Sequence, residues 1–323
     1  MLKEKRNVCI ICDSGKVKSK LVIGRDTKLK IYQCSNCLHQ FQPISNYKDI
    51  YSSGEFSKIA RNKSKTPSKI KIKSLESKAL ERLKFYNDMG LNSFDKIIEI
   101  GSSIGSFVSL MRRQGKNIDG LEPDKYYAEF SENFYGFSQH IDLIENFTPN
   151  KKFDSAVCFH VLEHVPNPNE FLINVKKNLK DSSNVIFEVP SMDLHYYGNY
   201  KKCYWSPHFH YFTISSLYYL FSNHFKVKKI GFYGISLFVF AESSDQNTFD
   251  KVKMDRFLKK SRLNSALVDQ FPSISLGRFN KFAIKEIILR PFIDERPFDL
   301  IVDHIKAIWR NFKRISQLKS KNQ

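Results

Sequence analysis

The sequence predicts an α/β fold built on a doubly wound parallel sheet, preceded by a small cysteine-rich module and followed by a basic helical extension. Three observations predict it. Between residues 96 and 189, short apolar strands alternate with helical segments at a spacing that carries each helix across the sheet to a parallel neighbour. Two Cys-x2-Cys pairs stand within the first 37 residues. Residues 246–323 show helical patterning, with basic amphipathic segments around Phe279 to Leu289 and Leu300 to Ile315. The expected divisions are a module at 1–45, a polar linker and helix at 46–80, the sheet domain at 81–245 and the extension at 246–323.

The elements follow in order. Residues 46–75 are polar, with a Lys/Ser run from Lys58 to Lys73 interrupted by Pro67. Leu75, Ala79, Leu83 and Tyr86 then recur at helical spacing. A buried strand over 96–100 leads through Gly101-Ser102-Ser103-Ile104-Gly105 into a helix over 106–114. A second strand over 117–121 ends at Glu122 and is followed by a helix from Asp124 to about Tyr135. The third strand is expected near 140–144, the fourth over 155–159, a helix over 168–179, and the fifth strand over 184–189. A helix over 214–222 precedes two strands, 225–231 and 236–241, that pair antiparallel.

The chain of 323 residues carries a net charge of +19, but unevenly. Residues 1–75 hold 17 basic against 5 acidic side chains, and residues 251–323 hold 17 against 7, whereas the central segment holds 18 against 21. Lysine supplies 39 of the 52 basic residues, and Arg, the better fork for phosphates and bases, is scarce. The charge is thus a weak pointer to nucleic acid. No stretch approaches 18 consecutive apolar residues and the N-terminus has no apolar signal region, so a cytoplasmic protein is expected. In that compartment cysteines serve as metal ligands more often than as disulfides.

Cys9-x2-Cys12 and Cys34-x2-Cys37 are 21 residues apart. Each pair sets two thiolates on one tight turn, and two such turns complete a four-sulfur shell for Zn²⁺. A closed shell of this kind is structural and supplies folding free energy to a module with little core. His39 is expected beside the site rather than in it, and Cys158 in the core of the fourth strand.

The Gly101–Gly105 spacing is G-x3-G rather than the G-x-G-x-x-G that grips a pyrophosphate, which disfavours NAD and FAD. S-adenosylmethionine (SAM) presents no phosphate. Glu122, 21 residues after Gly101, stands where a carboxylate accepts from both ribose hydroxyls. Glu99–Phe107 (EIGSSIGSF), Gly120-Leu121-Glu122-Pro123, Phe153–Pro168 (FDSAVCFHVLEHVPNP) and Val185–Pro190 (VIFEVP) together resemble the successive motifs of class I SAM-dependent methyltransferases. The resemblance covers about residues 80–245 and implies a Rossmann-like, seven-stranded sheet. With the N-terminal cysteines, the chain is similar to the zinc-containing sugar C-methyltransferases that act on nucleotide-linked deoxysugars, and to methyltransferases of surface-polysaccharide assembly. It departs from them in Ser103, which replaces a glycine, and in being shorter. The resemblance implies that Gly101, Ser102, Gly105 and Glu122 bind SAM, that Glu99 anchors the loop, and that Phe159 and His160 line the pocket. Adenine is expected near Asp142 to Asn146.

Methyl transfer is an in-line displacement that needs alignment and, for a hydroxyl or activated carbon, a base. Three histidine clusters stand on loops after strands: His160/Glu163/His164, His195, and His208/His210. In the sugar C-methyltransferases a Glu-His pair precedes a Tyr-Phe-Ser/Thr segment. Laying Tyr211-Phe212-Thr213 on that segment makes His208 the expected base, with Pro207 in place of the glutamate. His210 is the second candidate, and Tyr51, with Tyr47, is a candidate substrate-facing tyrosine. The expected substrate is a small polar acceptor, a nucleotide-linked or glycan sugar. An RNA methyltransferase and a non-catalytic zinc-ribbon adaptor are the alternatives, and the basic C-terminal helices admit a peripheral membrane contact.

Overall fold

The computed structural model describes residues 8–43, 66–90, 93–193, 203–244 and 248–270. The amphipathic segments expected beyond Gln270 lie outside the described residues. No helix among the described residues is long and apolar enough to cross a membrane.

Ser68 opens helix α1 (Lys69–Asn87) by accepting from the Lys71 amide, and the helix buries Ala79, Leu83 and Tyr86, the stripe its sequence spacing set. This stripe packs on Ile97, Val108, Val157 and Ile186 in the main core. Strand β4 (Lys96–Ile100) leads into α2 (Ser106–Arg113), β5 (Asn117–Leu121) and α3 (Lys125–Tyr135). Then come β6 (Phe153–Phe159), α4 (Pro168–Lys177), β7 (Leu179–Pro190), α5 (Ile214–Ser222), β9 (Phe225–Tyr233) and β10 (Ser236–Ser243). The sheet order is β5-β4-β6-β7-β10-β9. The first four strands are parallel, and β10 runs antiparallel to both neighbours. Helix α6 (Lys251–Gln270) closes the described chain.

One expected strand is missing. Near residues 140–144 only a single bridge forms, between Leu121 and His140. The Asp142 carboxylate accepts from the Leu143 amide, and the Asn146 and Phe147 amides turn back onto the Leu143 carbonyl. This local bonding competes with a ladder, so among the described residues the sheet has six strands and a bridge where seven strands were expected.

The N-terminal module also differs from a detached ribbon. Strands β1 (Val17–Ile23), β2 (Lys28–Cys34) and β3 (Gln40–Phe41) form an antiparallel sheet whose fourth strand, β8 (His210–Tyr211), comes from the far end of the chain. The described residues up to 269 accordingly form one compact unit.

Candidate active site

Strands β4 and β6 are neighbours, while β5 lies on the outer side of β4. The chain leaves β4 in one direction and returns on the other, so a crevice opens beyond the carboxyl ends of β4 and β6. Gly101 lies there at φ +71°, and a Cβ on it would stand 2.3 Å from Val161 Cγ2 of the loop after β6. Only glycine lets the two loops interlock this closely. Gly105, at φ +77°, forms the N-cap of α2 and, as a glycine, offers that helix's first amides no side-chain acceptor. Ser102 donates its hydroxyl to the Gln139 side-chain oxygen, and the Gln139 amide donates to the Ser103 carbonyl at 2.9 Å.

Two acids lie under this loop. Glu122 accepts from the amides of Ser103 (2.7 Å) and Asp124 (2.9 Å), and burial pushes its carboxyl up to about 7. Glu99 is buried, with one carboxylate oxygen lacking any hydrogen-bond partner. Burial pushes it up to about 8, against the pull of the Arg82 cation. SAM offers an ammonium and two ribose hydroxyls, all donors, and these acids are acceptors. An orphaned buried carboxylate oxygen and a loop in which a Cβ would clash are what such a ligand requires, so the residues fit SAM.

At the end of β6, Phe159 is buried between the Tyr86 and Phe107 rings, and the Arg82 guanidinium lies 4.4 Å over its face. It braces the pocket from below rather than forming an open wall. His160 sits at φ 58° between two glutamates, Nδ1 3.3 Å from Glu163 and Nε2 2.9 Å from Glu188. Burial alone would lower its pKa, but these two carboxylates raise it to about 9, so it is a cation at neutral pH. Burial would raise Glu188, yet His160 and Arg82 hold it at about 2. Arg82 donates to both Glu188 oxygens, and Tyr86 donates its hydroxyl to one of them. Neither Arg82 nor Glu188 was singled out from the sequence. The available signal was a charged residue inside each apolar pattern, Glu188 within VIFEVP and Arg82 beside Leu83, because such residues require a partner when buried.

His208 and His210 part company. The His208 ring packs edge-on to His164, at 4.7 Å, and against Trp205. Burial, then the neighbouring His164, push it down to about 3, so it is neutral and a weak base at pH 7. His210 does not fit the role of base. It is a β8 residue, 1% exposed, with Nδ1 3.0 Å from His39 Nε2 and Nε2 3.4 Å from the Pro166 carbonyl. Its ring nitrogens are engaged in joining the N-terminal sheet to the loop after β6. Tyr51, Tyr47 and His195 lie outside the described residues.

Residues 71–224, just under half of the chain, match the family model described as a methyltransferase domain. These residues form a class I SAM-dependent methyltransferase domain. The chain is 29% identical over 107 residues to the ubiquinone biosynthesis O-methyltransferase of Rickettsia bellii (strain OSU 85-389), covering 31% of this chain and 43% of that protein. It is 29% identical over 115 residues to the ubiquinone biosynthesis O-methyltransferase of Actinobacillus pleuropneumoniae serotype 5b, covering 32% and 48%. The match thus spans less than half the length of these relatives. Among solved structures, it is similar to magnesium protoporphyrin IX methyltransferase from Synechocystis PCC 6803 with bound SAM, at 13% identity, TM-score 0.43, and coverage of 61% and 95%.

Beside the methyltransferase domain, the four N-terminal thiols converge. Cys9 and Cys37 Sγ are 3.6 Å apart, as are Cys12 and Cys34, and all four lie within 4.8 Å of one another. A tetrahedral Zn–S distance of about 2.3 Å implies sulfur–sulfur edges of about 3.8 Å, so the donor set fits Zn²⁺ with little adjustment. The knuckle rests on the domain directly. The Cys37 carbonyl accepts from Ser215 Oγ at the start of α5, and the Ile10 carbonyl accepts from Asn169 on α4. His39 lies beside the thiols, buried, and bonds His210 instead. Cys158 is buried in β6.

Proposed function

We propose that this chain transfers the methyl group of SAM to an oxygen or carbon of a small polar acceptor, a nucleotide-linked or glycan sugar. The observation that carries the reading is the interlocked pair of loops at the carboxyl ends of β4 and β6. One lies over the buried acids suited to SAM, binding Glu122 through the Ser103 amide, and the other presents the His160/Glu163/His164 group on the same crevice. Bound SAM supplies an electrophilic methyl on a sulfonium. In this reading Glu122 accepts from the ribose hydroxyls and Glu99 steadies the loop. His160, held charged by two glutamates that take both of its ring N–H groups, presents a fixed positive charge to a polar acceptor rather than removing its proton. The Zn²⁺ bound by Cys9, Cys12, Cys34 and Cys37 is structural.

The curated relatives are named for O-methylation in ubiquinone biosynthesis, which favours a second reading with an aromatic hydroxyl as acceptor. The test is transfer of a labelled methyl from SAM by the full chain to nucleotide sugars, hydroxylated aromatics and RNA in parallel. Labelling of nucleotide sugars supports the proposal, labelling of the aromatics moves it to the second reading, and labelling of RNA refutes both. Failure to bind SAM at all would refute the enzymatic reading.

A further inference from the structure

We propose that Glu163, His164 and His208 form a second metal site, distinct from the four-cysteine site, that takes one divalent transition-metal ion through a carboxylate and two imidazoles. One ligand atom from each of the three lies within 4.8 Å of the others, and all three residues are buried. Two features of the cluster point to an ion rather than to ordinary core packing.

The first is the state of Glu163. Its side chain is 1% exposed, and its Oε1 stands 3.3 Å from His160 Nδ1 and 3.8 Å from His164 Nε2. Its Oε2 has no hydrogen-bond partner. A buried carboxylate oxygen without a donor is costly unless a cation reaches it. The second is the setting of His164. Its Nδ1 lies 2.9 Å from the Pro207 carbonyl, so that nitrogen carries the proton and donates. Nε2 is therefore the lone-pair nitrogen, and it is the one directed toward Glu163. A ring N–H fixed on a backbone carbonyl is the arrangement that orients metal-binding histidines.

The three donors are also held in place before any ion arrives. The Glu163 carbonyl accepts from the amides of both Phe209 and His210, tying the loop after β6 to the segment that carries His208. The His208 amide donates to the Trp205 carbonyl, and its ring is pinned between Trp205 and His164. Two imidazoles and one carboxylate suit Zn²⁺, Fe²⁺, Co²⁺ or Mn²⁺ rather than Mg²⁺ or Ca²⁺. Three protein ligands leave a position for an exchangeable oxygen, water in the free protein. Set on the same loop as His160, that position gives the site a preference for acceptors that offer a hydroxyl oxygen. This last point rests on the methyl-transfer reading above; the metal site itself does not.

The test is cobalt loading of the full chain, read without any turnover assay. Wild type dialysed against excess Co²⁺ should retain two ions per chain by elemental analysis. One should show the strong near-ultraviolet thiolate-to-cobalt absorption of the cysteine site, and the other only weak visible bands of nitrogen and oxygen ligation. Glu163→Gln and His208→Ala should each retain one ion, with the thiolate absorption unchanged. That absorption also reports that the N-terminal sheet, including β8, is still folded. If His208→Ala loses it, Glu163→Gln decides. One ion per wild-type chain, or two in a folded Glu163→Gln chain, overturns the proposal.

Discussion

Replacing Glu188 with Gln keeps the shape of the side chain and removes its charge, which isolates what the buried anion contributes. Glu188 accepts from Arg82 at 2.8 and 3.3 Å and stands 2.9 Å from His160. Breaking a buried charge pair by neutralising one partner costs about 3–5 kcal/mol, because the other charge is left uncompensated. His160 is about a third exposed, so its share is screened by solvent and the lower end, about 3 kcal/mol, is expected. At a urea dependence of about 3 kcal/mol/M this lowers the unfolding midpoint by about 1 M. The pH profile separates this from mere loss of packing. His160 has its folded pKa raised from 6.5 to about 9, so its contribution is complete below 6.5 and is lost as pH rises through 9. Glu188 has its folded pKa lowered from 4.5 to about 2, so its contribution is present above 4.5 and is lost as pH falls through 2. The gap between wild type and Glu188→Gln should therefore be widest between pH 4.5 and 6.5 and narrow on either side, with the Arg82 share surviving at high pH. Urea unfolding across pH measures it. A gap that does not change between pH 6.5 and pH 9 would refute the coupling of His160 to Glu188.

Three further outcomes are expected. Gly101→Ala forces an alanine to φ +71° against Val161, a left-handed cost of about 1–2 kcal/mol before any clash, and should weaken SAM at least tenfold by calorimetry. Undiminished affinity would separate this loop from the cofactor. With Glu122 near 7 and Glu99 near 8, both are partly protonated at pH 7, and a ligand that donates to them favours the ionised forms. SAM binding should then release protons, seen as a dependence of binding heat on buffer ionisation enthalpy, and Glu122→Ala should reduce both the release and the affinity. Zinc chelation should expose the Tyr211 amide to hydrogen exchange along with residues 28–41, because β8 completes the module's sheet; exchange confined to residues 8–43 would contradict that.

The parts that were legible in the sequence have local causes. The alternation of β4 to β7 with their helices follows from hydrophobic period, and the helix expected from Asp124 does start there, with the Asp124 side chain as its cap. The cysteine turns were readable because two residues at fixed spacing define each. What was not legible depends on contacts distant in sequence. Arg82 and Glu188 are 106 residues apart, and His39 and His210 are 171 apart. The third strand failed for a local reason that hydrophobic patterning ignores, since Asp142 bonds its own turn. The role expected of His210 failed because its nearest partner lies in a module taken to be separate.

That last failure bears on how the N-terminal module relates to the methyltransferase domain. The segment 205–213 belongs to both. Its carbonyls at Trp205, Ser206 and His208 accept from the Gln42 amide of the module side, and its Tyr211 pairs with Gln40. From the other side its Phe209 and His210 amides bind the Glu163 carbonyl, and its Phe212 carbonyl accepts from Met192. Thr213 then caps α5, on whose Ser215 the Cys37 carbonyl rests. A four-cysteine knuckle with scant core of its own cannot orient a histidine by packing alone. Here it does so through backbone bonds on both edges of one short segment. His208 is therefore positioned by the cysteine-bound module as much as by the sheet domain that carries Glu163 and His164, and a change at the cysteines should be felt at the loop after β6 through this shared segment.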